Sequence, residues 1–187
     1  MITDLTYLLP DLPVPEDDGA CAHLTGMALP DIALMATSGA LVRLQDISGR
    51  VVIYCYPMTG PAEVPLPAGW DEIPGARGCT PQACSFRDHY RELQQLNTQV
   101  FGMSTQMPAV QRTEKERIHL PFDLLSDEAL LFSHALQLPL HYVEGLVLQK
   151  RVTLIVEGGK IRKYFYPVFP PDKNIDVVLE YLKEYCL

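Results

Sequence analysis

The chain has 187 residues, 48% hydrophobic and 20% charged, the make-up of a globular protein large enough for one substantial core. A net charge of −8 without any Lys/Arg cluster argues against a nucleic-acid surface, and no apolar run approaches the length that spans a bilayer. The opening "MITDLTYLLPDLPVPEDDGA" lacks a basic start and a sustained apolar segment, so no secretory leader is expected and the cytoplasm is the default compartment.

Residues 1–25, rich in Pro and Asp, read as an extension over the surface. "IALMATSGALVRLQDI" predicts two strands around a Ser-Gly turn, and "GRVVIYCYP" a buried central strand that stops at Pro57. From Met58 to Gly78 the chain is Pro- and Gly-rich and holds the only tryptophan, Trp70. A loop of that length inside a compact domain is uncommon and usually functional. A helix follows at "CTPQACSFRD", with Thr80 as N-cap and Pro81 as the first helical residue, continuing to about Asn97. Next come the strand "QVFGMST", a helix across Val110 to His119, the short strand "PFDLL", and a helix in "SDEALLFSHAL" capped by Ser126 or Asp127. "RVTLIVEGGKIRKYFYPV" predicts a hairpin turning at Gly158-Gly159. "NIDVVLEYLKEY" closes the chain as an amphipathic helix with Ile175, Val178, Leu179 and Leu182 on one side. Strands alternating with helices imply an α/β sandwich with a central mixed β-sheet flanked by helices. With no repeats and no dividing linker, residues 1–187 read as a single domain.

Five cysteines in a reducing compartment point to reduced or catalytic thiols rather than structural bridges. Cys55 falls in an apolar strand and reads as an inert core residue, while Cys21 and Cys186 lie in a loop-like segment and at the chain's end. Cys79 and Cys84 differ because both fall at a helix start, where unpaired backbone N–H groups and the helix dipole favour thiolate. Their spacing, even with His89, matches no zinc signature, so no metal is expected and redox chemistry is the better reading.

At this point the sequence resembles the peroxiredoxins, and among them the Q subfamily, also called bacterioferritin comigratory protein. The likeness runs from about Gly26 to Leu182: "GMALPDI", "VVIYCYP", "GCTPQACSFRD", "LLSD" and "KRVTLIVEGGKI" resemble family segments in the same order. The resemblance implies a thioredoxin-like fold and reduction of hydrogen peroxide and organic hydroperoxides, with electrons from thioredoxin or a similar dithiol and no cofactor. By position it makes Cys79 the peroxidatic cysteine, Cys84 the resolving cysteine and Arg151 the active-site arginine, with Pro57, Gln82 and Thr80 at the substrate pocket. A monomer or homodimer is expected, with no nucleic-acid or membrane partner. Two positions depart from the family pattern. Ala76 stands where the family has a threonine whose hydroxyl contacts the thiolate, and residues 58–76 form an insertion between Pro57 and Cys79. Thr59 is a candidate to replace that hydroxyl, Arg77 is either a local cation or a solvated loop residue, and Trp70 either lids the pocket or anchors the loop elsewhere.

The chemistry sets its own requirements. Lowering a cysteine pKa from ~8.5 to ~6 raises the thiolate fraction at pH 7 roughly thirty-fold. Nucleophilicity falls with basicity, however, and takes back roughly ten-fold or more. Most of the acceleration must therefore come from stabilising charge on the peroxide oxygens, by N–H groups of the helix start and a fixed guanidinium. A sulfenic acid at Cys79 then condenses with a thiol. Within one helix, residues five apart have Cα atoms roughly 8–9 Å apart, whereas a disulfide needs less than about 7 Å. The first turn must unwind before Cys79 and Cys84 can join. A thioredoxin-fold disulfide reductase or redox sensor using the same pair, and a non-enzymatic binding module that has lost its site, remain the alternatives.

Overall fold

The computed structural model describes residues 8–60 and 64–185, so Cys186 and residues 61–63 of the insertion lie outside the described residues. Among the described residues nine strands and five α-helices follow one another: β1 (Ala33–Ala36), β2 (Leu41–Arg43), β3 (Arg50–Cys55), α1 (Cys79–Asp88), α2 (Tyr90–Gln95), β4 (Thr98–Ser104), α3 (Pro108–Arg117), β5 (Leu124–Ser126), α4 (Leu131–Ala135), β6 (Leu140–Val143), β7 (Leu146–Gln149), β8 (Val152–Glu157), β9 (Lys160–Phe165) and α5 (Asn174–Tyr185). Seven strands form one sheet in the order β2-β1-β5-β4-β3-β8-β9, and β6 and β7 pair separately.

The continuous apolar run of β3 is explained by its place in that sheet. It pairs in parallel with β4 and antiparallel with β8, and both of its faces are covered. Val51, Ile53 and Cys55 enter one core with Cys21, Leu24, Phe132 and Val152. Val52, Tyr54 and Tyr56 enter the other with Cys79, Phe86, Leu93 and Val178. The period of two thus assigns alternate β3 residues to opposite layers. Across the second face, Tyr54 stacks on Phe86 at 4.6 Å between ring centroids, a contact of about 0.5–1.5 kcal/mol beyond its buried area. Gly102 faces Tyr54 in the register, and a Cβ there would stand 2.6 Å from the tyrosine ring. The absent side chain is what lets the ring lie across β4 and reach α1.

The helices differ from the sequence expectations in instructive ways. α1 begins at Cys79 itself, and the cap is Gly78 in the left-handed region (φ 101°), not Thr80. Thr80 is already helical because its hydroxyl is drawn away to another helix, as described below. The predicted helix to Asn97 breaks at His89, whose backbone leaves the helical region (φ −103°, ψ 11°), and α2 resumes for six residues. α3 starts two residues early, with Pro108 at its first turn. In α4 the capping residue is Asp127, but from a distance. Its two carboxylate oxygens accept the N–H groups of Phe132 and Ser133 at 2.9 and 2.8 Å, so the helix opens only at Leu131. The hairpin β6–β7, turning at Glu144-Gly145 with φ of 48° and 80°, had no counterpart in the sequence pattern. The hairpin β8–β9 and the buried face of α5 (Ile175, Val178, Leu179, Leu182) lie where the pattern put them.

Candidate active site around Cys79

The site is assembled at the first turn of α1. Gly78 adopts its positive φ under close packing, since a Cβ there would lie 2.6 Å from Pro171 and 2.7 Å from Leu8. The turn that presents Cys79 is therefore clasped between the N-terminal segment and the short 3-10 turn Pro171–Lys173. Pro81, third in the helix, has no N–H, and Gln82 N–H already bonds the Gly78 carbonyl at 3.1 Å. The backbone N–H groups of Cys79 and Thr80 thus have no intrahelical acceptor.

Cys79 is only 5% exposed, and Arg151 comes to it from the residue just before β8. One guanidinium nitrogen, Nη2, lies 3.2 Å from the Cys79 Sγ and donates also to the carbonyls of Ala76 (3.3 Å) and Arg77 (3.2 Å). The other, Nη1, donates to Gln82 Oε1. Four contacts hold the guanidinium flat against the helix start, so it is placed before any ligand arrives. The same Ala76 carbonyl lies 3.7 Å from the Cys79 Sγ. Where the family pattern puts a threonine hydroxyl, this chain offers a backbone oxygen.

The insertion builds that wall. Trp70 is buried at 3% exposure in a small cluster with Ala76 and Leu148 of β7. It anchors the loop on the β6–β7 hairpin, next to the residue whose carbonyl meets the sulfur. Arg77 is not solvated: it is 6% exposed and donates to Asp71 Oδ1 at 3.0 Å, so the insertion carries its own counter-charge. Thr59 does not supply the missing hydroxyl; its side chain and backbone N–H both turn to Gln106 Oε1. Pro57 is buried just beyond β3, next to Tyr56, which shares the core cluster of Cys79.

Thr80 is committed to α3. Its hydroxyl donates to Glu114 Oε1 at 2.8 Å, and Arg117 grips the same carboxylate through Nε (2.9 Å) and Nη2 (2.8 Å). Glu114 is 4% exposed, so this is a buried clamp on the turn that carries Cys79. Sequence reasoning missed Glu114 and Arg117; their only signal was an opposite-charge pair three residues apart on a helix. Cys84 lies in the same helix, partly buried against the same core, and burial pushes its thiol above the ordinary range. Cys21 and Cys55 are fully buried in the core on the other face of the sheet, and burial raises both, Cys21 to about 12. All four described cysteines are free thiols. Among the described residues no group of three or more His, Cys, Asp or Glu side chains could hold a metal ion. His89 instead turns Nδ1 to the Ser85 carbonyl at 2.9 Å.

Compared with known proteins, residues 24–179 match the Redoxin family. The chain belongs to the redoxin family. Two of its curated relatives are named peroxiredoxin Q, chloroplastic: the one from Oryza sativa subsp. japonica is 32% identical over 160 residues, and the one from Arabidopsis thaliana 31% over 159. Each match covers 84% of this chain but 66% of the relative, so the chain spans just under two thirds of those redoxins. Among solved structures, the peroxidoxin BcpB from Mycobacterium tuberculosis superposes with a TM-score of 0.69 at 26% identity, covering 86% of this chain and 97% of that one. Peroxiredoxin Q from Xanthomonas campestris gives the same TM-score at 20% identity, covering 88% and 98%. The fold is the thioredoxin-like fold of these redoxins, with its central mixed sheet and flanking helices.

Proposed function

We propose that this redoxin is a thiol-dependent peroxidase, with Cys79 as nucleophile, Arg151 as its electrostatic partner and Cys84 as the resolving thiol. The observation that supports this most is the Cys79 Sγ at 3.2 Å from a guanidinium nitrogen, on the first residue of a helix. The thiolate attacks one oxygen of a hydroperoxide. The O–O bond breaks, Cys79 becomes a sulfenic acid, and the other oxygen leaves as alkoxide or hydroxide and takes up a proton. Arg151 Nη2 and the free N–H groups of the first turn stand where that charge develops. Thiolate from Cys84 then displaces hydroxide from the sulfenic sulfur; the disulfide forms and water is released. A dithiol of the thioredoxin type reduces the disulfide and restores both thiols. Gln82 acts by fixing Arg151, and Thr80 by holding the turn, rather than by touching peroxide; Pro57 closes the pocket from the end of β3.

The packing of the described cysteines supports Cys84 in the resolving role as well. Among the described residues it is the only other cysteine packed on Cys79's side of the sheet. No described helix is long and apolar enough to cross a membrane, and the reading places the chain in a reducing, cytoplasm-like compartment where a dithiol donor is at hand. Peroxide consumption by the purified protein with thioredoxin or dithiothreitol tests the proposal. Cys79→Ser is expected to abolish turnover, because a serine hydroxyl is scarcely ionised near neutral pH; substantial remaining activity would remove Cys79 from the reaction.

A further inference from the structure

Among the described residues, the only side chain besides Cys79 itself that accepts from the Arg151 guanidinium is an amide: Gln82, through Oε1. An amide has unlike ends, an oxygen that accepts and a nitrogen that donates, whereas a guanidinium only donates. Gln82 serves Arg151 only while its oxygen points that way, and a turn about its last bond would set two donors face to face. Something must decide the orientation. The Gln82 Nε2 donates to Oδ1 of Asn174 at 2.9 Å, at the start of α5. The same Oδ1 accepts the Thr153 hydroxyl at 2.7 Å, from β8 two residues beyond Arg151. Gln82 and Thr153 are fully buried and Asn174 is 3% exposed, so water does not compete for these groups. The Asn174 Nδ2 has no hydrogen-bond partner among the described residues. Asn174 thus holds its oxygen toward two donors although that leaves its own N–H group unsatisfied, which an amide does only where the two acceptances outweigh the loss.

We infer that Asn174, backed by Thr153, is a positioning residue for Arg151: it fixes the polarity of the Gln82 amide and so keeps an acceptor on the guanidinium that meets Cys79. The relay starts at Arg151, one residue before β8, crosses α1 at Gln82 and α5 at Asn174, and ends in β8 at Thr153. Neither Asn174 nor Thr153 contacts the sulfur. Their effect on it passes wholly through the direction of one amide.

The inference rests on the peroxidase reading, and a double-mutant cycle separates it from simple packing. Gln82→Glu replaces the amide with a carboxylate whose two oxygens are alike, so no orientation is needed, and Asn174 is free to turn its Nδ2 toward the introduced charge. Asn174→Leu is expected to slow the stopped-flow oxidation of Cys79 by about tenfold in the parent, the loss of one hydrogen bond to a charged group. In the Gln82→Glu protein the same substitution should slow oxidation by less than about threefold, a non-additivity that packing damage does not produce. Equal slowing in both backgrounds, or no slowing in the parent, overturns the inference. If Asn174→Leu does not fold, Asn174→Ala removes the same oxygen without added bulk and runs the same cycle. Iodoacetamide alkylation of Cys79 is read in parallel on all four proteins. A parent that fails to react with peroxide defeats the functional reading, while additive alkylation rates defeat the relay by themselves.

Discussion

If the first turn of α1 must unwind before Cys79 can join Cys84, whatever fastens that turn sets the rate of resolution. The fastening with the most defined geometry is the Thr80 hydroxyl on Glu114 Oε1 at 2.8 Å. Thr80→Val keeps the shape and removes the hydroxyl. Glu114 stays held by Arg117 through two contacts of 2.8 and 2.9 Å, so no carboxylate is stranded in the folded form. A hydrogen bond to a charged group is worth about 1.5–3 kcal/mol. It exists only while the turn is folded, so its loss raises the unwound fraction roughly 10- to 150-fold, at about 1.4 kcal/mol per decade. The sulfenic acid of the folded form is exposed to a second peroxide, whereas the unwound form is committed to Cys84. Sulfinic acid at Cys79, measured by mass spectrometry over a peroxide titration, should therefore need about tenfold or more extra peroxide in Thr80→Val than in the parent. The first oxidation step, by stopped flow, should change little. Equal or greater sulfinate formation would show that this clamp does not limit resolution.

Gly78→Ala places a Cβ 2.6–2.7 Å from Pro171 and Leu8 at φ 101°, so it should cost about 2–4 kcal/mol in chemical denaturation and slow Cys79 oxidation, by crowding and by positive-φ strain together. Trp70, the sole tryptophan, clusters with Ala76, whose carbonyl touches the Cys79 sulfur, so its fluorescence should shift when the disulfide forms; a constant signal through a full redox cycle would uncouple the insertion from the site. Burial raises the Cys84 thiol in the folded form, while the unwound form keeps the ordinary value near ~8.5 and loses its proton first. As pH climbs past that value the unwound form gains on the folded one, so disulfide formation should accelerate as pH rises above about 8.5. Over the same interval the denaturation midpoint should fall in the parent and hold steadier in Cys84→Ser.

The sequence carried the frame because its strongest signals are local. β3 is an unbroken apolar run, β8–β9 turns on Gly158-Gly159, and α5 repeats its apolar residues at helical spacing. Cys79, Cys84, Gln82 and Arg151 were named as site candidates through the family likeness, and the structure brings Cys79, Gln82 and Arg151 into direct contact. Groups that act across distance in the chain stayed hidden. Thr80 looked like a cap because Thr-Pro is a common helix opening; Glu114, 34 residues away, claims its hydroxyl instead. Nothing in the sequence singles out Asn174, and nothing nearby in the chain reveals Gln82 as its partner. The β6–β7 hairpin escaped notice because it pairs only with itself, yet it is what Trp70 stands on.

The alternation of β3 has a consequence for chemical selectivity. Cys55 is flanked in sequence by Tyr54 and Tyr56, which share the layer of Cys79, yet its own sulfur lies in the opposite layer with Cys21. The sheet acts as an insulator. On the proposed chemistry, oxidant admitted to one side meets Cys79 and Cys84, while Cys21 and Cys55 sit fully buried behind a wall of paired backbone. A strand that slipped by one residue would bring Cys55 through that wall. Fidelity of strand register is thus part of what confines oxidation to a single address in a chain with several thiols.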